Sequence, residues 1–360
     1  MLKLSILDQS PISHGSDARV ALQQTVQVAQ LADRLGYHRL WVSEHHDAPT
    51  LAGSTPEILI AHLAAKTSRL RIGSGGVMLP HYSAYKVAEN FRMLEALYPG
   101  RIDVGVGRAP GGMPRSTMAL QEGKQRGAVD YMQQVADLRD YLTDALPEDH
   151  RFYGLTASPV VDTVPEMWLL GSSDGSAYVA AQQGTAFSFA HFINGEGGTG
   201  AMQMYRDRFV PSRLCASPET SVAIFAFCAD TEKEADKLAS VLDLSLVFLA
   251  NGQRADGVPT IEMAQSYPYS RYELALVKEN RKRMVVGDKV SVKQQIEALA
   301  QAYETNEVIL CTNTARLEDR IHSFELVAEA FGLHVGTPSA DTTAAHARDI
   351  PFRAQHAEEE

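Results

Sequence analysis

Cysteine is scarce. Cys215, Cys228 and Cys311 are the only three in 360 residues. The count is odd, the spacing is wide, and no CxxC or Cys/His cluster occurs. That argues against a disulfide framework or a structural zinc, and for inert thiols in a reducing compartment. Basic residues are outnumbered, 33 Lys and Arg against 44 Asp and Glu, for a formal net charge of −11. This balance argues against nucleic acid or a membrane surface as the main partner, while leaving room for a local basic pocket that holds a phosphate. Long apolar runs are missing as well. No stretch would span a bilayer, and the opening Met-Leu-Lys-Leu-Ser-Ile-Leu-Asp is too short an apolar run for a secretory signal. The expectation is a cytoplasmic protein with no nucleic-acid, membrane or metal partner.

What is present is alternation. Short apolar strands are expected at Leu2 to Leu7, 38–42, Leu70 to Leu79, Arg101 to Val106, Met167 to Leu170, Thr185 to Ala190, Thr220 to Cys228 and Val308 to Cys311. Helical segments with caps and apolar faces separate them, such as Ala18 to Leu35 behind Ser16-Asp17. A long helix is expected at 122–145, and a glycine-rich loop at 195–200. Continuous apolar strands suit a parallel sheet buried on both faces, and eight strand–helix units predict a (β/α)8 TIM barrel. Residues 251–285 break the pattern with Tyr267, Tyr269, Tyr272 and a basic run, and are read as a partly helical insertion before the last strand. The barrel is expected to be one domain over 1–335. Residues 336–360, without periodicity, are expected to form a disordered tail.

In such a barrel every strand ends at one mouth, where chemistry gathers. Glu44-His45-His46 ends the second strand. Neighbours on an extended chain point to opposite sides, so at most one of the two imidazoles enters the mouth. It is either an acid/base group or a histidine satisfied by loop carbonyls. Gly75-Gly76, inside a strand, marks a bulge or the close approach of a ligand. Arg108, after Gly105-Val106-Gly107, suits a phosphate or a surface ion pair. Ser172-Ser173-Asp174-Gly175-Ser176 opens a helix with more hydroxyls than capping needs, which favours an anion site. The 251–285 insertion is either a lid over the mouth or a solvated interaction loop.

These stretches together resemble the bacterial luciferase-like flavin monooxygenases. The likeness is carried by Leu-Trp-Val-Ser-Glu-His-His at 40–46, Leu-Arg-Ile-Gly-Ser-Gly-Gly-Val-Met-Leu-Pro-His-Tyr-Ser-Ala at 70–84, Val-Ala-Glu-Asn-Phe-Arg-Met-Leu-Glu at 87–95 and Gly-Arg-Ile-Asp-Val-Gly-Val-Gly-Arg at 100–108. It runs from about Leu2 to Phe331 and implies the same barrel. It implies reduced FMN at the mouth, supplied by a separate flavin reductase, and dioxygen as co-substrate. A flavin hydroperoxide would then oxidise a small organic substrate. His45 falls on the family's active-site histidine, and Gly75-Gly76 on a non-proline cis peptide under the flavin ring. Arg108 and Arg126 match phosphate-binding arginines, and Ser173 and Ser176 match hydroxyls on the phosphate. Ser172 replaces an acidic residue of luciferase. The insertion matches a mobile loop, and relatives imply a homodimer.

The alternatives are a deazaflavin-dependent oxidoreductase that moves hydride without oxygen, a non-catalytic flavin-binding protein, and a metal-dependent barrel hydrolase.

Overall fold

The computed structural model describes residues 2–108, 111–123 and 130–333. Arg126 and the tail expected at 336–360 lie outside these residues. The strands are β1 (Lys3–Asp8), β2 (Arg39–Val42), β3 (Arg71–Ser74), β4 (Val77–Met78), β5 (Ile102–Gly107), β6 (Glu166–Gly171), β7 (Ala186–Ala190), β8 (Thr220–Ala229), β9 (Met284–Asp288) and β10 (Glu307–Cys311). Eight of them close a parallel barrel in the order β1-β2-β3-β5-β6-β7-β8-β10, with β10 pairing both β8 and β1. Helices connect them around the outside.

The local signals that start and stop these helices behave as their chemistry requires. Asp17 accepts a hydrogen bond from the Val20 N–H at 2.9 Å, and Gly36 ends the helix Ala18–Leu35 at φ +85°. That left-handed backbone conformation favours glycine. The outward strand face (Ile6, Leu40, Ile72, Val104, Leu169, Phe187, Ile224, Leu310) packs under the helices as one continuous core.

Three expectations change. The third strand is two pieces, β3 and β4, with Gly75-Gly76 between them. Of the helix expected at 122–145, the described residues hold Tyr131–Leu142, residues 124–129 lie outside them, and a separate short helix, Pro114–Leu120, precedes it. The glycine-rich loop at 195–200 instead starts a helix, Gly198–Asp207. Here packing overrides propensity: a Cβ on Gly198 would lie 2.2 Å from the Tyr303 hydroxyl, so only glycine lets this turn seat against the barrel. The insertion holds the helices Ile261–Ser266 and Arg271–Arg281 and leads into an additional strand, β9. β8 is long enough to pair β10 along Val222–Phe225 and β9 along Phe225–Ala229.

The barrel interior is filled by large residues set beside small ones. Trp41 lies in register between Leu7 and Gly73, and Trp168 between Gly105 and Ala186. The two indoles meet edge to face at 5.4 Å. A Cβ on Gly105 would sit 2.0 Å from the Ser74 carbonyl oxygen, so that close approach requires glycine.

At the N-terminal end of the strands, Arg39 closes the barrel floor. Its guanidinium donates to Asp103 (2.8 Å), Glu166 (3.0 Å) and Glu307 (2.7 Å), which come from three strands that are not β2's neighbours. Asp103 also accepts from Arg71 Nε (2.9 Å) and Trp41 Nε1 (2.9 Å), and Ser5 donates to Glu307 (2.6 Å). Arg39 stacks 4.8 Å above the Trp168 ring. Burial alone would raise the Asp103 pKa, but Arg39 and Arg71 outweigh it and hold the carboxyl below its ordinary 3.8.

Asp103→Asn would leave the buried Arg39 and the part-buried Arg71 guanidiniums short of a counter-charge, and should cost about 3–5 kcal/mol in urea unfolding. The contribution of Asp103 is fully present above its unfolded pKa and is lost as pH falls through the lower folded value. The acid-side loss of stability should therefore shrink in the variant. A cost below about 1 kcal/mol would contradict this role for the cluster.

Candidate active site

Four strand ends build the site. β2 carries Arg39 and Trp41, and beyond its end the chain runs through Ser43, Glu44, His45 and His46.

Glu44 is fully buried and accepts three hydrogen bonds, from Tyr82 OH (2.7 Å), the Met78 N–H (2.9 Å) and His46 Nε2 (2.7 Å). Burial and the bond to Glu44 push the Tyr82 phenol pKa up, so the phenol keeps its proton and donates. The His46 ring also meets the His81 ring edge-on at 6.2 Å, and Gln121 contacts His81 Nδ1 at 3.2 Å. His46 is thus spent on structure. His45 is held by its backbone N–H on the Gly53 carbonyl (2.7 Å) and by Nδ1 on the Ser43 hydroxyl (3.0 Å). That leaves Nε2 without a partner among the described residues. Burial, and then the neighbouring His46, lower the His45 pKa to about 4. The imidazole is therefore neutral near pH 7.

Beside β2, the Gly75–Gly76 peptide between β3 and β4 is cis. A Cβ on Gly75 would lie 2.8 Å from Leu7 and 2.9 Å from Trp41, and one on Gly76 would lie 2.7 Å from the Gly105 carbonyl oxygen. Packing against the barrel centre thus calls for glycine at both positions, independently of any ligand.

Arg108 follows β5, is exposed, and has no carboxylate partner among the described residues. On β6, Gly171 leads into the turn 172–176. A Cβ on Gly171 would lie 2.1 Å from the Ser176 Cβ. Ser173 stands at the N-cap of the helix Asp174–Gln183, but its side chain caps nothing and lies 3.3 Å from the Ser176 hydroxyl. The Asp174 and Gly175 N–H groups have no acceptor among the described residues. Two hydroxyls, two open N–H groups and the positive end of a helix are groups that favour an anion, and the Asp174 carboxylate lies in the same turn. Ser172 is half-buried, and its carbonyl accepts from Asn194 at 3.0 Å.

The insertion reaches this rim. Val258 pairs with the chain after β1 (Val258 N–H to Ile12 O, 2.7 Å; His14 N–H to Val258 O, 2.8 Å), and Arg254 meets Asp47 after β2 at 2.7 Å.

The barrel order β2-β3-β5-β6 brings His45, Gly75-Gly76, Arg108 and Ser172-Ser173-Ser176 onto one arc of the mouth. Tyr82 and Asn194 were not singled out as site residues by sequence, because their partners lie 38 and 22 residues away and no short motif marks them. Among the described residues no group of three or more His, Cys, Asp or Glu could hold a metal ion, and no helix is long and apolar enough to cross a membrane.

Residues 2–306 match the family model described as luciferase-like monooxygenase. The YwcH protein of Bacillus subtilis (strain 168) is 55% identical over 331 residues, 92% of this chain and 99% of its own. The N-acetyl-S-alkylcysteine monooxygenase of the same organism is 39% identical over 332 residues, 92% of this chain and 98% of its own. The crystal structure of apo-MsnO8 superposes with a TM-score of 0.84 at 37% identity, covering 92% of this chain and 98% of that one. Solved structures sharing the fold at 18% and 15% identity carry FMN and an F420–acetone adduct.

The lowered His45 pKa makes a direct prediction. In the folded protein its ring resonances should titrate with a midpoint near 4, well below the ordinary 6.5. Because the folded value is depressed, the contribution of neutral His45 to stability is full above 6.5 and is lost as pH falls towards 4. A midpoint at the ordinary value would show the ring to be solvated and unheld.

Proposed function

The chain belongs to the luciferase-like monooxygenase family, and from that premise we propose that it uses reduced FMN and dioxygen to oxidise a small organic molecule. The observation that carries this reading is the arc of the mouth itself. An uncapped, hydroxyl-bearing turn and an arginine with no carboxylate partner among the described residues lie at one end, a held neutral imidazole at the other, and two side-chain-free residues between them.

The phosphate of FMN fits the turn: the Ser173 and Ser176 hydroxyls, the Asp174 and Gly175 N–H groups and the exposed Arg108 guanidinium all donate, and an anion accepts. Arg126 is assigned to the same phosphate by family resemblance, and Ser172 to the flavin contact that an acidic residue makes in luciferase. Gly75 and Gly76 would offer the ring a flat surface. Bound reduced FMN would supply the electrons that activate dioxygen. The protein's own part is to hold that chemistry dry and to manage one proton. His45, neutral and fixed through Nδ1, presents Nε2 to accept or return it. The insertion, anchored on the loops after β1 and β2, would keep water from the arc.

By resemblance to the family, reduced flavin is assigned to a separate reductase, with a homodimer in the cytoplasm as the working form. An N-acetylated S-alkylcysteine is the first substrate to try, given the 39% identity to the B. subtilis enzyme.

In an assay with a reductase, NADH, FMN and oxygen, His45→Ala should lower product formation by roughly a hundredfold or more, while flavin reduction continues and oxygen ends as peroxide. Full product formation by the variant would remove His45 from the reaction. Hydride transfer to or from a deazaflavin without oxygen, and no turnover with FMN, would replace the proposed chemistry with the dehydrogenase alternative. The pure protein without a reductase should not oxidise NADH.

A further inference from the structure

The turn at 172–176 is not held by its own helix cap, since the Ser173 side chain makes no capping bond. Its position has another source. The Asn194 side-chain amide donates to the Ser172 carbonyl at 3.0 Å, while the Asn194 carbonyl oxygen accepts the Glu196 N–H at 3.1 Å. Both ends of the Asn194 amide are thus committed, one to its own loop and one to the turn.

That loop is itself held from the far side. Arg283, between the helix Arg271–Arg281 of the insertion and β9, donates through Nη1 to the Phe192 carbonyl (3.1 Å) and the Ile193 carbonyl (2.7 Å). Through Nη2 it reaches the buried Asn280 side chain, which anchors it to the end of the insertion. Gly195 makes room for it, since a Cβ there would lie 2.9 Å from the Arg283 Cγ. His191, just upstream, is locked by the Tyr303 hydroxyl at 2.7 Å, so the loop has a rigid root.

We propose that Asn194 and Arg283 are positioning residues that set the 172–176 turn for a phosphate and tie its placement to the insertion. The chain of contacts runs from Asn280 and Arg283, through the carbonyls of Phe192 and Ile193, to Asn194 and the Ser172 carbonyl. A shift of the insertion's exit is passed to the turn through a few hydrogen bonds. Neither side chain needs to touch the phosphate. This inference rests on the reading of the turn as a phosphate site, and the test separates the two.

Anaerobic titration of the full-length protein with photoreduced FMN and with photoreduced riboflavin, which lacks the phosphate, gives two affinities for each variant. The wild type should prefer FMN. Asn194→Ala and Arg283→Ala should each weaken FMN several-fold, roughly five- to tenfold for one lost positioning hydrogen bond, and leave riboflavin unchanged. Arg283→Lys keeps the charge but loses the two-carbonyl fork, and should behave like Arg283→Ala. A wild type that binds both flavins equally would overturn the phosphate site itself. A wild type that prefers FMN, with variants that lose both flavins alike or neither, would overturn the positioning role and leave the site standing. Thermal melts identify any variant that fails to fold. Asn194→Ala removes only an exposed side chain, and keeps the test decisive if Arg283→Ala does not fold.

Discussion

A guanidinium with no access to water fixes the geometry of this barrel. Arg39 starts β2 and binds carboxylates from β5, β6 and β10, so three distant strands are tied to one strand at a single point. A buried charge tolerates little displacement, because each lost partner leaves an unpaired ion in a poorly polarisable interior. Trp41 and Trp168 stack the next layer on this floor, and Gly73 on β3 makes room for Trp41. His45 stands three residues beyond the end of β2, held by the Gly53 carbonyl and the Ser43 hydroxyl. Stability and chemistry sit at opposite ends of the barrel, as this architecture favours.

Much of that plan was legible in the sequence because its signals are local. Apolar runs marked the eight barrel strands, and Asp17 and Gly36 marked helix limits through the backbone groups they satisfy. The mouth residues could be found because strand ends are where the apolar runs stop. The floor was not legible. Arg39 reads as a polar residue before an apolar run, and its partners lie 64, 127 and 268 residues further on. Glu44 shows the same limit: its place in the chain was plain, but its bonds to Met78 and Tyr82 exist only once the loop after β2 meets the chain from β4 onwards. The helix Gly198–Asp207 was missed because glycine's weak helix propensity is overridden by a contact with Tyr303 that no local pattern encodes.

The mouth divides its work by charge. At the β5–β6 end, open N–H groups, hydroxyls and Arg108 offer hydrogen-bond donors. At the β2 end, burial keeps His45 neutral, with one nitrogen spent on Ser43 and the other left over. Glu44, which could have competed for that imidazole, is occupied by His46, Tyr82 and a backbone N–H. Between the two ends lie Gly75 and Gly76, which the packing of Leu7, Trp41 and Gly105 would require to be glycine in any case. A surface demanded by the barrel core thus also suits a flat ring, so one structural constraint can serve both stability and binding.

The proposed role of this arc is to hold reduced FMN while dioxygen reacts with it, and rapid mixing of the protein and photoreduced FMN with oxygenated buffer, followed by absorbance, tests that role. The expected result is a transient whose spectrum belongs to neither reduced nor oxidised flavin, and which outlives the reoxidation of free FMN. Reoxidation at the free-flavin rate, with no bound species, would contradict it.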